Sequence, residues 1–321
     1  MQHMHSSITL HRLLELHENA HPDLEAGTQY MRRLVFDYLI ETCGDLPLDD
    51  FALANAEAFR AVLIRRFRPV TAASYLKMVR PPFRWWQYRA KVFVDHWADL
   101  PKIKQPKKRP KMYADAEVEA LLQGAGQDEL MQARVVLMIS TGMRRGEALN
   151  LTDADVDWEA ETVTVQPKDE TDRTWAWVAK DNETRTLPLT AQARDLLWRR
   201  RLALPRAQPY LLLTENRYNY LIWLQMQGKL TARMRKCPDD NWRPFRRLRE
   251  RTGVTGRSIK HFRSTCLTNW LRDGLDLASV RDLAGHSSIE TTEAYLVPDN
   301  GAVTKARALS DARLARVANP D

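Results

Sequence analysis

Two arginines, two lysines, a histidine and a tyrosine stand between residues 144 and 295 of this 321-residue chain in an order that could carry out phosphoryl transfer. They are Arg144 (in Thr141-Gly142-Met143-Arg144), Lys180, Lys260 and Arg263 (in Lys260-x-x-Arg263), His286 after Gly285, and Tyr295, nine residues beyond that histidine. The basic groups could together hold and neutralise a phosphate diester, because guanidinium forks match phosphate oxygens and lysines add point charges. A tyrosine hydroxyl beside them could then attack the phosphorus. Taken singly, each has an ordinary explanation. Arg144 with Glu147 at i, i+3 reads as a surface ion pair, Lys180 as a turn lysine, and Tyr295 as one of nine tyrosines, most of which pack. Their order and spacing are what point to chemistry.

The elements that must place them follow from periodicity. Leu10, Leu13, Leu14 and His17, then Tyr30, Leu34, Tyr38 and Leu39, then Ala54, Phe59, Val62 and Leu63 recur at helical spacing. A helix over 71–80 is expected to close at Pro81-Pro82, with a new one over 83–94 restarting at a changed angle, since proline is tolerated in a first turn. Residues 1–100 thus read as a helical domain. Residues 101–113 carry three prolines and six Lys/Arg and read as a stiff basic linker attracted to phosphate. A second domain over 114–321 opens with helices at 115–124 and 128–140, the latter running into Gly142. Val156, Trp158, Val163 and Val165, then Trp175, Trp177 and Val178, then Thr186 to Leu189 suggest a small antiparallel sheet. Helices return at 190–203, 241–252, 261–273, 277–284 and 288–296, with less regular residues over 204–238. Asp276 suits the N-cap of the helix that Gly285 ends, and Ser287 with Glu290 has capping-box spacing for the helix carrying Tyr295.

Charge is unevenly distributed. The net charge is +8, but residues 1–59 carry three Lys/Arg against ten Asp/Glu, while 60–113 carry fifteen against only Asp95 and Asp99. That basic run, interleaved with Trp85, Trp86 and Tyr88, favours a polyanion as partner. Arg65, Arg66, Arg68, Lys77, Arg84, Lys107, Lys108 and Arg109 are the candidate DNA-binding residues. The cysteines, Cys43, Cys237 and Cys266, are odd in number and lack metal-ligand spacing, which argues for a reducing cytosol and against a disulfide frame or zinc site. No apolar run approaches the ~18 residues of a membrane helix, and the start lacks an apolar signal core. The expected location is cytoplasmic and nucleoid-associated.

Together the motifs resemble the tyrosine recombinase (phage integrase-type) family. STGMRRGEALNLTDADVDW (140–158) resembles its first arginine box, with Arg144 as the arginine and Glu147 as the supporting acid. WVAKDNETRTLPL (177–189) is similar to its hairpin lysine segment, which gives Lys180 the catalytic lysine's place. IKHFRSTCLTNWL (259–271) resembles the second arginine box around Arg263, and LAGHSSIETTEAY (283–295) the histidine-to-tyrosine segment. The second box departs from the usual His-x-x-Arg: Lys260 occupies the histidine's place and His261 is out of register. A lysine can clamp phosphate but is a poor proton acceptor near neutral pH.

The resemblance implies a mainly α fold with a small antiparallel β-sheet: an N-terminal helical core-binding (SAM-like) domain followed by a mixed α/β catalytic domain. It implies a Cre/Xer-like simple site-specific recombinase, since the helical pattern starts by about residue 10 and leaves no room for an arm-binding domain in front. Tyr295 would form a 3′-phosphotyrosine, Arg144 and Arg263 would bind the non-bridging oxygens, Lys180 would protonate the leaving oxygen, and His286 and Lys260 would add phosphate contacts. The expected partners are double-stranded DNA and three further copies in a homotetramer acting through a Holliday junction. No membrane, metal, ATP or other cofactor is implied. Alternatives are a type IB topoisomerase-like enzyme and an inactive recombinase-derived DNA-binding protein. About twenty residues near 216–238 read as a surface insertion, and 302–317 as an amphipathic helix suited to docking on a neighbouring subunit.

Overall fold

Thr9 starts the first helix: its hydroxyl accepts from the Arg12 N–H at 3.4 Å, satisfying one of the orphan donors of α1 (Leu10–Ala20). The computed structural model describes residues 8–90, 95–105, 110–179, 184–239, 242–296, 307–308 and 310–315. The chain divides into two units, Met1–Lys108 and Arg109–Asp321. In the first, α1 is followed by α2 (Ala26–Cys43), α3 (Leu53–Arg66) and α4 (Pro69–Ala90). Their apolar stripes meet in one core that includes Leu10, Phe36, Leu39, Phe59, Leu63, Val79 and Trp97.

Pro81 and Pro82 do not end a helix, contrary to the expectation from sequence. α4 runs through both as one element. Each proline removes a helical hydrogen bond at a cost of roughly 3 kcal/mol. The same face buries Leu76, Val79 and Phe83, worth about 1.5–3 kcal/mol each, so core burial is of the same order as the backbone penalty. Residues 91–94, the end of the expected second helix, lie outside the described residues.

The second unit contains α5 (Asp115–Ala125), α6 (Glu129–Thr141), α7 (Arg145–Leu149), a sheet of β1 (Val156–Asp157), β2 (Thr162–Val165) and β3 (Arg185–Pro188), and α8 (Ala191–Ala203). The strands pair antiparallel in the order β1-β2-β3, with Val163 opposite both Val156 and Leu187 on the core face. Then come α9 (Glu215–Met226), α10 (Ala232–Lys236), α11 (Trp242–Thr252), α12 (Lys260–Arg272), α13 (Leu277–Ala284) and α14 (Ile289–Glu293). At the end of the expected linker, Tyr113 is buried with its ring on Phe262 (centroids 4.7 Å apart). Its backbone N–H donates to Thr265 Oγ1 at 2.8 Å.

Three further expectations are corrected. Trp175 and Trp177 are not strand residues. Trp177 makes an isolated bridge with Lys168, and Trp175 stacks on Tyr210 (3.9 Å, 5°) while its Nε1–H donates to Asn150 Oδ1 at 2.8 Å. Large aromatics here fill the core between elements, so their alternation mimicked a strand. Residues 216–238 are not a surface insertion of irregular chain: α9 starts on the Thr214 hydroxyl and buries Tyr218, Leu221 and Leu224 in the unit's core. Finally, Ser288, not Ser287, stands at the N-cap position of α14, without a side-chain capping bond, and Tyr295 falls in the turn after that helix, its N–H donating to Thr292 O at 2.9 Å. Of the expected C-terminal helix, residues 307–308 and 310–315 are helical and exposed, and the rest lies outside the described residues.

Candidate active site

Gly142 is where the site begins. It ends α6 in the left-handed conformation (φ 65°), which glycine adopts without strain. The chain reverses there and Arg144 becomes the N-cap of α7. Glu147, three residues on, takes the Arg144 N–H at 2.7 Å and the Arg144 Nη1 at 2.8 Å. The Glu147 side chain is 3% exposed and that of Arg144 26%. One end of the arginine is thus anchored in the interior while the guanidinium stays within reach of solvent. Arg263, on the first turn of α12, is buried and donates from Nη1 to Gly142 O at 2.8 Å, which ties the second arginine to the turn that presents the first.

The carbonyl end of α13 gathers the basic groups. Helices leave their last carbonyls unsatisfied and carry partial negative charge there. Leu283 O accepts from Arg185 Nε at 2.9 Å, Ala284 O from Arg263 Nη2 at 2.6 Å, and Gly285 O from Arg144 Nη2 at 3.0 Å. Three arginines from β3, α12 and the start of α7 are therefore indexed to three successive carbonyls. Burial, and next the Arg144 charge, push the Arg263 guanidinium down to about 10, so it remains a cation at neutral pH. Burial also works to raise the Glu147 carboxyl, but Arg185 and Arg144 outweigh it and hold the group below its ordinary value.

His286 follows Gly285 directly. Arg263 Nη2 lies 2.9 Å from His286 Nε2. A guanidinium only donates, so Nε2 must accept and the ring proton sits on Nδ1. Nδ1 in turn lies 2.8 Å from Thr292 Oγ1, which accepts it. The ring stacks on Tyr295 (5.9 Å between centroids, 10° between planes). Arg144, Arg263, His286 and Tyr295 thus share one locality, with a neutral imidazole between the buried arginine and the tyrosine.

Residues 111–300, more than half of the chain, match the model of the phage integrase family. The chain belongs to that family. Among curated relatives it is 28% identical over 202 residues to tyrosine recombinase XerA of Pyrococcus furiosus, a match spanning 61% of this chain and 59% of that protein. It is 24% identical over 266 residues to tyrosine recombinase XerC of Staphylococcus epidermidis, spanning 81% of this chain and 82% of that one. Among solved structures, the Tn1549 transposon integrase in complex with a circular intermediate DNA superposes with TM-score 0.70 at 18% identity, over 95% of this chain and 100% of that one. The lambda integrase tetramer bound to a Holliday junction gives TM-score 0.64 at 16% identity, over 89% of this chain and 79% of that one. Both likenesses are of fold.

Other residues singled out from this integrase-family sequence fall as follows. Lys260 is exposed at the first position of α12. His261 turns away from it, its Nδ1 accepting from the Ser258 N–H at 2.7 Å. Lys180, Lys107, Lys108 and Arg109 lie outside the described residues. In the first unit Arg65, Arg66, Arg68, Lys77 and Arg84 are exposed, and Arg66 pairs with Glu41 at 3.1 Å. Trp85 and Trp86 pack on that unit's core, and only Tyr88 of the three aromatics is fully exposed. Among the described residues there is no group of three or more His, Cys, Asp or Glu that could hold a metal ion, and no helix long and apolar enough to cross a membrane.

Sequence reasoning missed Arg185, Thr292 and Asn150. Asn150 is fully buried behind α7 and donates to Gly146 O (2.8 Å) and Arg235 O (3.0 Å), which couples α7 to α10. A signal existed for Arg185: it occupies the inward phase of a strand whose other inward residue is Leu187, a place where an arginine needs a buried partner.

Proposed function

We propose that this integrase-family protein is a site-specific DNA recombinase that breaks and rejoins duplex DNA through a 3′-phosphotyrosine. The observation that carries this reading is the convergence of Arg144, Arg263 and His286 beside Tyr295. Tyr295 Oη attacks the phosphorus in line, the phosphorus–oxygen bond to the 5′ side breaks, and the 5′-hydroxyl leaves. Arg144 and Arg263 stabilise the charge that develops on the non-bridging oxygens, and their carbonyl tethers mean that little reorganisation is needed as it forms. An entering phosphate competes with His286 Nε2 for the Arg263 Nη2, which releases the imidazole to take a proton and bond the phosphate itself. Lys260, exposed three residues before Arg263 at the start of α12, would add a further cation. Lys180 is assigned proton donation to the leaving oxygen by its place in the family motif.

Arginine and lysine charge supplies the neutralisation that a metal ion supplies elsewhere, and the phosphotyrosine conserves the bond energy for religation, so neither metal nor ATP is required. The exposed basic residues of the first unit, with Lys107, Lys108 and Arg109, would track the phosphate backbone. Exchange would proceed in a tetramer through a Holliday junction, the assembly in which the lambda integrase was solved.

The reading is tested by incubating the protein with supercoiled plasmid carrying DNA that flanks its own gene, in EDTA, and resolving products on a denaturing gel. A covalent protein–DNA adduct with wild type and none with Tyr295→Phe is expected. An adduct that survives Tyr295→Phe, or one that forms only when magnesium is added, overturns the mechanism. Relaxation of any plasmid by a monomer with no junction formed favours the topoisomerase alternative.

A further inference from the structure

We propose that Arg185 is a positioning residue for the reaction: it braces the Glu147 carboxylate that aims Arg144 and pins β3 to the carbonyl end of α13. The assignment rests on the recombinase reading above for the reaction it serves, and on geometry for the brace itself. Glu147 divides its oxygens, Oε1 to Arg144 Nη1 at 2.8 Å and Oε2 to the Arg144 N–H at 2.7 Å and to Arg185 Nη2 at 2.5 Å. The Arg185 side chain is 7% exposed and that of Glu147 3%. With Nε on Leu283 O as well, Arg185 is held between Glu147 and the end of α13, and the role this geometry gives it is to act through Glu147.

Gly285 supports the same conclusion from the other side. Its φ is +62°, and a Cβ built there would lie 3.1 Å from Arg185 Nη1 and 3.2 Å from Cδ. The arginine is therefore packed flat against the backbone of the residue whose carbonyl receives Arg144. β3, the start of α7 and the end of α13 are locked through one side chain. The charged groups facing Glu147 are Arg144, Arg185 and, from α12, Arg263; His286, bonded to Arg263 Nη2, is a further titratable neighbour. Removing Arg185 leaves a buried carboxylate with its main counter-charge gone, and burial then favours the protonated acid. A protonated Glu147 no longer holds Arg144 by charge. This device also links the strand that follows Lys180 to the arginine pair, since Arg185 stands five residues after that lysine.

The test compares wild type, Arg185→Gln and Arg185→Lys by two readouts. One is the rate of covalent adduct formation, from pH 5.5 to 8.5, on the plasmid fragment that wild type cleaves. The other is the carboxyl ¹³C shift of Glu147, assigned with Glu147→Gln and followed over the same range. In wild type the Glu147 signal should stay that of a carboxylate throughout. In Arg185→Gln it should titrate within the range, with DNA binding retained and adduct formation slowed roughly 100-fold at the acid end, the loss shrinking as pH rises. Arg185→Lys restores the charge but cannot reach Glu147 and Leu283 O together, so it should recover the flat pH ratio to wild type while remaining about tenfold slow. Unchanged rate and pH ratio in Arg185→Gln, or a loss of rate that only follows loss of folded protein at every pH, overturns the proposal. Should Arg185→Gln not fold, wild-type rate in Arg185→Lys overturns it instead. If wild type forms no adduct, the recombinase reading fails while the Glu147 titration still decides the brace.

Discussion

Gly146→Ala is the substitution that most sharply probes how α7 is held. A Cβ at residue 146 would lie 2.5 Å from the Lys236 carbonyl oxygen, a backbone atom. Reaching ordinary van der Waals contact needs about 1 Å of movement, and both neighbours resist it, because Asn150 bridges Gly146 O and Arg235 O from a fully buried position. Overpacking of this kind costs about 1–3 kcal/mol. Alanine returns up to about 1 kcal/mol of helix propensity over glycine, which leaves a net loss of up to roughly 2 kcal/mol. In a unit of this size that is a fall of up to about 8 °C in Tm. Arg144 is the N-cap of the same helix, so a shift of this order at Gly146 moves the guanidinium, and adduct formation should fall by on the order of 100-fold. Thermal melts by circular dichroism and the adduct assay are run on the same preparation. A Gly146→Ala protein that melts at or above the wild-type temperature with wild-type activity would refute the claim that α10 braces α7.

Other consequences follow from particular side chains. Burial first, then Arg32 and His21, depress His17 to about 4 from the ordinary 6.5. The folded state thus favours the neutral ring, and its stability is whole above pH 6.5 and declines as pH falls from 6.5 toward 4. The loss by pH 4.5 is about 2–3 kcal/mol, and His17→Gln should remove that component from urea denaturation curves taken at pH 7.5 and 4.5; identical pH slopes in the two proteins would contradict it. Asp239 pairs with the buried Arg134 at 2.6 Å, so Asp239→Ala strands a buried cation and should cost about 3 kcal/mol in the same measurement. Arg263→Lys cannot serve Gly142 O, Ala284 O and His286 Nε2 together, and adduct formation should drop at least ~100-fold with DNA binding retained. Near-normal cleavage would show that the three-way tether is dispensable.

Much of the site was legible because its parts sit in short, local motifs. Gly142 and Gly285 each end a helix one or two residues before a basic one, and the capping oxygen of Asp276 stands where α13 begins. What escaped was encoded between distant residues. Arg185 meets Glu147 across 38 positions and Leu283 across 98, and no window of sequence contains either pair. Thr292 was read as one residue of a helix, yet its hydroxyl partners the Nδ1 of His286. In the fold, the failures have a common cause in burial. Pro81 and Pro82 read as a break because local backbone chemistry was weighed without the core face of α4. Trp175 read as strand because alternation cannot distinguish a ladder from an aromatic stacked on Tyr210. The apolar period of α9, Tyr218-Leu221-Leu224, was present in a stretch taken as irregular, and shows that the residues after α8 belong to the core.

The measurement that bears most directly on the account is the position and polarity of the covalent link. Wild-type protein is trapped on cleaved DNA in EDTA, digested with nuclease and protease, and the nucleotide-bearing peptide is sequenced by mass spectrometry while the freed DNA end is tested for labelling by polynucleotide kinase. The account predicts a nucleotide on Tyr295, joined through a 3′-phosphate, with a free 5′-hydroxyl that accepts label. Attachment at any other residue, a 5′-phosphate linkage, or DNA cut with no covalent protein would contradict it.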